Sequence, residues 1–261
     1  MNRKPLNSYF STSLKKGLDI LALFAGAEKE LSLGEISYKL NLNKTIAHRF
    51  TNTLVELGFL KKDLRTRQLK VGLSSFMLSN GLLRNSDVVQ VISPLVDEAF
   101  DKYNATIDVG MIEGDSLISI YRREVKDKLM FHTPTILHKS AWYYNAIGKI
   151  ILAAFSQTEL NNYFKETPLK RKTNNTIIRQ KDLIDDLEKA KKSGYSLNNE
   201  EYIPGLIALA APLVDSNSNH VIGSVSFDYS TIQHSLKAIE KKYGEIIKKL
   251  AAEISKSIHG L

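Results

Sequence analysis

The stretch "NLNKTIAHRFTNTLVELG", Asn41 to Gly58, decides how the first third of this chain is read. Asn43 suits a helix N-cap, because its short side chain accepts a hydrogen bond from an amide of the first turn. Gly58 suits the left-handed residue that follows a helix. Between them Ile46, Phe50, Thr53, Leu54 and Leu57 share one arc at helical spacing, which predicts a packed face. Lys44, His48, Thr51, Asn52 and Val55 project roughly opposite. A solvated helix face is usually rich in Glu and Lys pairs. This one offers Lys, Thr, His and Asn, side chains that reach phosphates and base edges.

Upstream, Ser13 can cap a helix over Leu14 to Ala25, with Leu14, Leu18, Leu21 and Phe24 directed to a core. "SLGE" sets Ser32 three residues before Glu35, the spacing of a capping box, and opens a short helix to Leu40. The turn Asn41 to Asn43 then joins two helices into a helix-turn-helix. Downstream, "GFLKKDLRTRQLKVG" predicts strands over Phe59 to Lys62 and Arg67 to Val71 around a polar turn, a β-wing. Its Lys61, Lys62, Arg65, Arg67 and Lys70 can follow a duplex backbone, each neutralised phosphate steepening the salt dependence by about 0.9.

The charge distribution agrees with a basic head. The chain has 261 residues and a net charge of +8, and residues 1–85 hold 14 Lys and Arg against 6 Asp and Glu. Residues 86–261 hold 22 against 22, so the whole excess sits in the first third. Cysteine is absent, which removes disulfides, thiolate metal sites and cysteine nucleophiles. No apolar run reaches the roughly 18 residues of a membrane span, and "MNRKPLNSYF" lacks the apolar segment of a secretory signal. A soluble cytoplasmic protein without a membrane partner is expected.

Leu73 to Arg84, "LSSFMLSNGLLR", reads as an apolar linker helix. Its exposed apolar residues, with those of the N-terminal helix, predict pairing between copies. Beyond it come a helix over Val88 to Tyr103, a strand pair over Thr106 to Ile112 and Ser116 to Arg123, and a helix over Asn145 to Phe155. "SQTE" at Ser156 to Glu159 is a second capping box, and a charged helix over Asp182 to Lys192 stops at Gly194. Strands follow at Tyr195 to Asn199, Leu206 to Val214 and His220 to Tyr229, before a terminal helix from Ser235. The order predicts an α+β chain whose second part has a mixed, mainly antiparallel sheet with flanking helices.

The segments "SLKKGLDILALF", "LSLGEISYKLNLNKTIAHRFTNTLVELGFL" and "QLKVG" resemble the winged helix-turn-helix of the IclR family of bacterial transcription regulators. That family's recognition helix usually runs close to proline-lysine-serine-threonine-x-x-arginine. Lys44, His48 and Arg49 fit the pattern, while Asn43 replaces the proline and Ile46 the threonine. "NAIGKIILAAF" and "SGYSLNNEEYIPGLIALAAPLVDSNSNHVIGSVSF" are similar to the family's GAF-like α/β effector-binding domain, so the resemblance runs from about Ser13 to Ile232. It implies a ligand carboxylate at the amides of Ala146 and Ile147, the start of the glycine-lysine helix. Family pocket positions carry over to Asn198 in place of aspartate, Ala208 in place of a cysteine or other small residue, a retained Ser226, and Asp228 where small-acid binders tend to have a second serine. Asp228 disfavours a neighbouring carboxylate and accepts from hydroxyl or amino groups, pointing to a hydroxylated or amino-bearing effector such as a sugar acid.

Tyr143, between Trp142 and Tyr144, is a further expected pocket wall. His132 and His138 lack spaced acidic partners, so no metal site is expected, and Glu200 and Glu201 on one strand would face opposite sides. There is no GxSxG elbow, P-loop or GxGxxG, and no catalytic residue or cofactor is assigned. The expected organisation is a winged helix-turn-helix DNA-binding domain over residues 1–72, a linker helix over 73–87, and an effector-binding and oligomerisation domain over 88–261. Lys44, Thr45, His48, Arg49, Thr51, Asn52, Arg65 and Arg67 are the expected DNA contacts. The expected function is a ligand-responsive repressor on an inverted-repeat operator, acting as a homodimer or homotetramer. The alternative is a small-molecule hydrolase or transferase anchored to nucleic acid by its first domain.

Overall fold

Three polar side chains start the first three helices of the chain, seen here in a computed structural model that describes residues 9–25, 28–125 and 136–261. Ser11 Oγ accepts from the Leu14 amide at 3.2 Å and opens α1, Thr12–Ala22, which tightens into a 3-10 turn over Leu23–Ala25. Ser32 and Glu35 form the anticipated reciprocal capping box on α2, Leu33–Lys39. Asn43 Oδ1 accepts from the Ile46 amide at 2.8 Å and opens α3, Lys44–Glu56. Gly58 takes the left-handed position after α3 at φ +74°. The wing follows as β1, Leu60–Lys62, paired antiparallel with β2, Leu69–Val71. Leu31 bonds Leu69 in both directions, at 3.0 and 2.9 Å, and ties the entry to α2 against the wing. The helix α4, Leu73–Arg84, ends this first compact unit.

The packed faces of α1 and α3 are rotated from those the apolar spacing predicts. On α3 the buried residues are Ala47, Thr51 and Leu54, whereas Thr53 and Leu57 are exposed. The face has turned by a little under one residue step, about 100°. Ala47 weighs little in a hydrophobic pattern but lets neighbouring elements approach closely, while the bulk of Ile46 and Leu57 draws the predicted arc the wrong way. On α1, Leu14 and Leu18 are 64% and 55% exposed; Ile20 enters the core in their place, while Phe24, in the 3-10 turn, is buried as expected. This helix has two apolar faces, of which the first unit covers one.

The second unit begins at Asn85. Ser86 caps α5, Asp87–Tyr103, which ends at left-handed Asn104. There follow β3, Thr106–Glu113; β4, Ser116–Arg123; β5, Ile136–His138; and a 3-10 turn over Lys139–Tyr144. Three helices come next: α6, Ala146–Leu152; α7, Gln157–Glu166, opened by the Ser156 and Glu159 box; and α8, Gln180–Ser193, stopped at Gly194. The chain closes with β6, Ser196–Asn199; β7, Leu206–Val214; β8, Val221–Ser230; and α9, Leu236–Ser257, capped by Ser235. The six strands order as β5-β4-β3-β8-β7-β6. Every described pairing is antiparallel, so the parallel component allowed for in a mixed sheet is absent among the described residues.

Strand alternation divides this sheet into two chemically different faces. Ile107, Val109, Ile207, Leu209, Val225 and Phe227 point to one side and join α5 and α9 in the larger core. The opposite parity carries Asp108, Asn198, Ala208, Ala210, Ser226 and Asp228. Of these, Ala208 and Ala210 join the second core, built with α6, α7 and α8. A sheet face under helices that is so rich in polar residues is costly unless each group is paired or meets a ligand.

Candidate nucleic-acid interface and effector cavity

The outward face of α3 consists of Thr45, His48, Arg49 and Asn52, all exposed, with Lys44 at its start. Asn52 Nδ2 lies 3.4 Å from His48 Nδ1, one turn back, and the Arg49 guanidinium stands 5.5 Å from the Phe50 ring centre. Thr51 corrects the expectation of a reading residue: it is 2% exposed, and its hydroxyl donates to the His48 carbonyl at 3.0 Å. A groove runs between the first residues of α2, this face and the wing, lined by Ser32, Gly34, His48, Asn52, Lys62 and Arg67 among others.

The wing turn is shaped by Asp63, whose Oδ1 accepts from the amides of Arg65 and Thr66 at 2.9 and 2.8 Å. These bonds hold the Asp63 carboxyl below its ordinary pKa. Arg65 and Arg67 are exposed at its tip, Arg67 at a left-handed φ of +60°. Lys70 is instead paired with Glu30 at 2.9 Å, which withdraws it from the set of wing cations.

In the second unit, sheet serines seat α6. Ser196 Oγ donates to the Ala146 carbonyl at 2.6 Å and Ser224 Oγ to the Ile147 carbonyl at 3.2 Å. Gly148 is obligatory there, since a Cβ would fall 2.3 Å from Trp142 Cα. Lys149 is 1% exposed and pairs with Asp186 at 2.8 Å and Glu201 at 2.7 Å. Burial raises the Glu201 pKa against the pull of Lys149. Glu200 and Glu201 lie just beyond β6 rather than within it; Glu200 turns at φ +57° and Glu201 goes to the buried lysine.

Between α6 and the polar sheet face lies a cavity of about 20 Å³, space for one water. Of the expected ligand residues, Ile147, Asn198, Ala208, Ser226 and Asp228 line it. Tyr143 and Ala146 do not. Tyr143 is buried with its hydroxyl donating to the Lys170 carbonyl at 2.6 Å, and Ala146 is buried beneath its serine bond. The sequence reading missed Asp108, Asn145 and Tyr202 of the lining, and Arg122 behind it. Its available signal was a charge in mid-strand at Asp108 and Arg122, which the register sets directly opposite each other.

Arg122 Nη1 donates to Asp108 Oδ2 at 2.9 Å and Nε to Glu124 at 2.6 Å. Ser226 Oγ donates to Asp228 Oδ1 at 2.9 Å. Burial pushes the Asp228 pKa up to about 6 and raises that of Asp108, in both cases against the attraction of Arg122. Asn198 donates to the Tyr144 carbonyl at 2.7 Å and accepts from the Glu201 amide at 3.2 Å. His138 bonds Ser116 at 3.1 Å, His132 lies outside the described residues, and no metal-binding cluster occurs among the described residues. No described helix is long and apolar enough to cross a membrane.

Comparison with known proteins places both units. Residues 13–64 match the IclR helix-turn-helix domain and residues 80–256 the bacterial transcriptional regulator IclR C-terminal domain. The chain is 30% identical over 203 residues to the HTH-type transcriptional regulator BhcR of Paracoccus denitrificans, covering 78% of this chain and 72% of that one. A crystal structure of an IclR transcriptional regulator from Alicyclobacillus acidocaldarius superposes with a TM-score of 0.80 at 22% identity, over 95% of this chain and 99% of that one. An IclR homologue from Microbacterium hydrocarbonoxydans, crystallised with 4-hydroxybenzoate, superposes with a TM-score of 0.73 at 17% identity, over 95% and 99%. With two family domains matched in order along most of its length, the chain belongs to the IclR family of bacterial transcriptional regulators.

Proposed function

We propose that this chain is a cytoplasmic repressor that binds an inverted-repeat operator through α3 and the wing, and responds to a small polar effector held in the cavity beneath α6. The observation that carries the reading is the face of Thr45, His48, Arg49 and Asn52, set beside Lys62 and Arg67 in one groove. Such a face fits a major groove, with Arg49 suited to guanine and Asn52 to adenine. Arg65 and Arg67 follow the backbone. Membership of a regulator family removes the hydrolase or transferase alternative.

Exposed Leu14 and Leu18 on α1, and Phe76, Met77 and Leu82 on α4, supply an apolar surface for pairing two copies, and through them two half-sites. The complex of the Microbacterium homologue with 4-hydroxybenzoate supports small-molecule binding by a chain of this fold. Here Asp228 restricts the choice to molecules that donate to it, such as hydroxylated acids or amines. An effector would act only by favouring one arrangement of the paired heads over another.

The test is a gel-shift and anisotropy series on the upstream DNA of the chain's own gene and neighbouring genes. We expect a Kd at least about a thousandfold below that for a scrambled duplex at the same salt, and release by one class of metabolite without its conversion. Equal affinity for all duplexes would remove the regulator reading for this member.

A further inference from the structure

We propose that the cavity beneath α6 selects an effector bearing a primary ammonium group, with Asp228 as the residue that holds it. This rests on the second unit being the effector domain and decides between the two ligand classes left open above. The ground is a count of charges. The Arg122 guanidinium pairs directly with Asp108 at 2.9 Å and Glu124 at 2.6 Å, and acts on Asp228 only from beyond pairing distance. Asp228 has the Ser226 hydroxyl at 2.9 Å and, among the described residues, no cation within ion-pairing distance. Two carboxylates, Asp108 and Asp228, face the cavity, and neither Lys nor Arg lines it.

A hydroxyl could donate to Asp228 but would add no charge to the partial compensation that Arg122 gives from beyond pairing distance; an ammonium supplies both a hydrogen bond and a cation in direct contact. Ser226 already donates to Asp228, so its oxygen can accept a second N–H. Tyr202 also lines the cavity and stacks on Tyr144 with centroids 5.7 Å apart. An aromatic wall is the other protein group that favours a cation. The space is about 20 Å³, so the recognised head is a single small group rather than a ring.

The experiment is calorimetric titration of the full chain with pairs matched in shape: alanine and lactate, 2-aminoethanol and ethylene glycol, putrescine and 1,4-butanediol. The expected result is that at least one amine binds about tenfold or more tighter than its hydroxyl partner, and that this preference disappears in Asp228→Asn and Asp228→Ser. Two substitutions guard against one of them failing to fold. Equal or tighter binding of the hydroxyl partner, persistence of the amine preference in both variants, or no binding by any amine would overturn the proposal. Duplex binding measured on the same samples separates the two levels. If a hydroxy compound alone binds and releases DNA, the regulator reading stands and the ammonium proposal falls; if no duplex is preferred, the failure belongs to the regulator reading.

Discussion

Arg49 and Asp228 lie in different units, and the proposed function gives them different partners, so their substitution should separate two functions. Arg49→Ala removes a bidentate donor and should weaken operator binding by about 1–3 kcal/mol while relaxing preference at one base pair. Arg67→Ala should weaken all duplexes alike and lower the salt slope by about 0.9, which anisotropy titrations across salt would show. Asp228→Asn should leave unliganded DNA affinity unchanged. It should also alter stability in a definite pH window. Burial pushes the Asp228 pKa from an ordinary 3.8 up to about 6, with Arg122 and the Ser226 hydroxyl pulling it down and Asp108 and Glu124 pushing it up. The folded chain therefore keeps a proton that the unfolded chain releases, and stability falls as pH rises from about 3.8 to about 6. Removing the charge should stabilise the protein at pH 7 by up to roughly 3 kcal/mol and change little below the ordinary carboxylate pKa, as thermal melts against pH would reveal.

Local chemistry governs the elements, and this is why their ends were legible. Ser32 with Glu35, Asn43, and Ser156 with Glu159 cap where the sequence places them, because a cap bonds within three residues of itself, whereas α1 is capped by Ser11 two residues before the expected Ser13. The faces of α1 and α3 were less legible, since which side is buried depends on neighbours far along the chain. Thr51 went inward for that reason, and Leu14 and Leu18 stayed out. The cavity was legible where the family resemblance reached, at Asn198, Ala208, Ser226 and Asp228. It was missed where strand pairing or a loop crossing brings residues together, as for Asp108 and Arg122 on paired strands and Tyr202 in the bend after β6. Two tests belong at this scale. Lys149→Met leaves buried Glu201 and half-buried Asp186 without their cation and should cost about 3–5 kcal/mol in urea unfolding of the second unit. Leu14→Glu with Leu18→Glu should leave the first unit folded but shift sedimentation toward monomer; an unchanged oligomer would show that this face pairs nothing.

Across the whole molecule, a basic unit and an electrically balanced unit are joined in one chain. In the proposed reading, the excess charge would supply non-specific attraction to DNA and the face of α3 discrimination. Pairing of two copies through α1 and α4 would turn one short reading face into two, related by a two-fold axis, and the operator should carry the same symmetry. The most direct measurement is selection of bound sequences from a pool of random duplexes at near-physiological salt, where non-specific Kd values are typically 10⁻⁴ to 10⁻⁶ M. Enrichment of an inverted repeat with half-sites spaced by whole helical turns, lost in Arg49→Ala, is the predicted result; recovery of no motif from a folded, dimeric protein would contradict it.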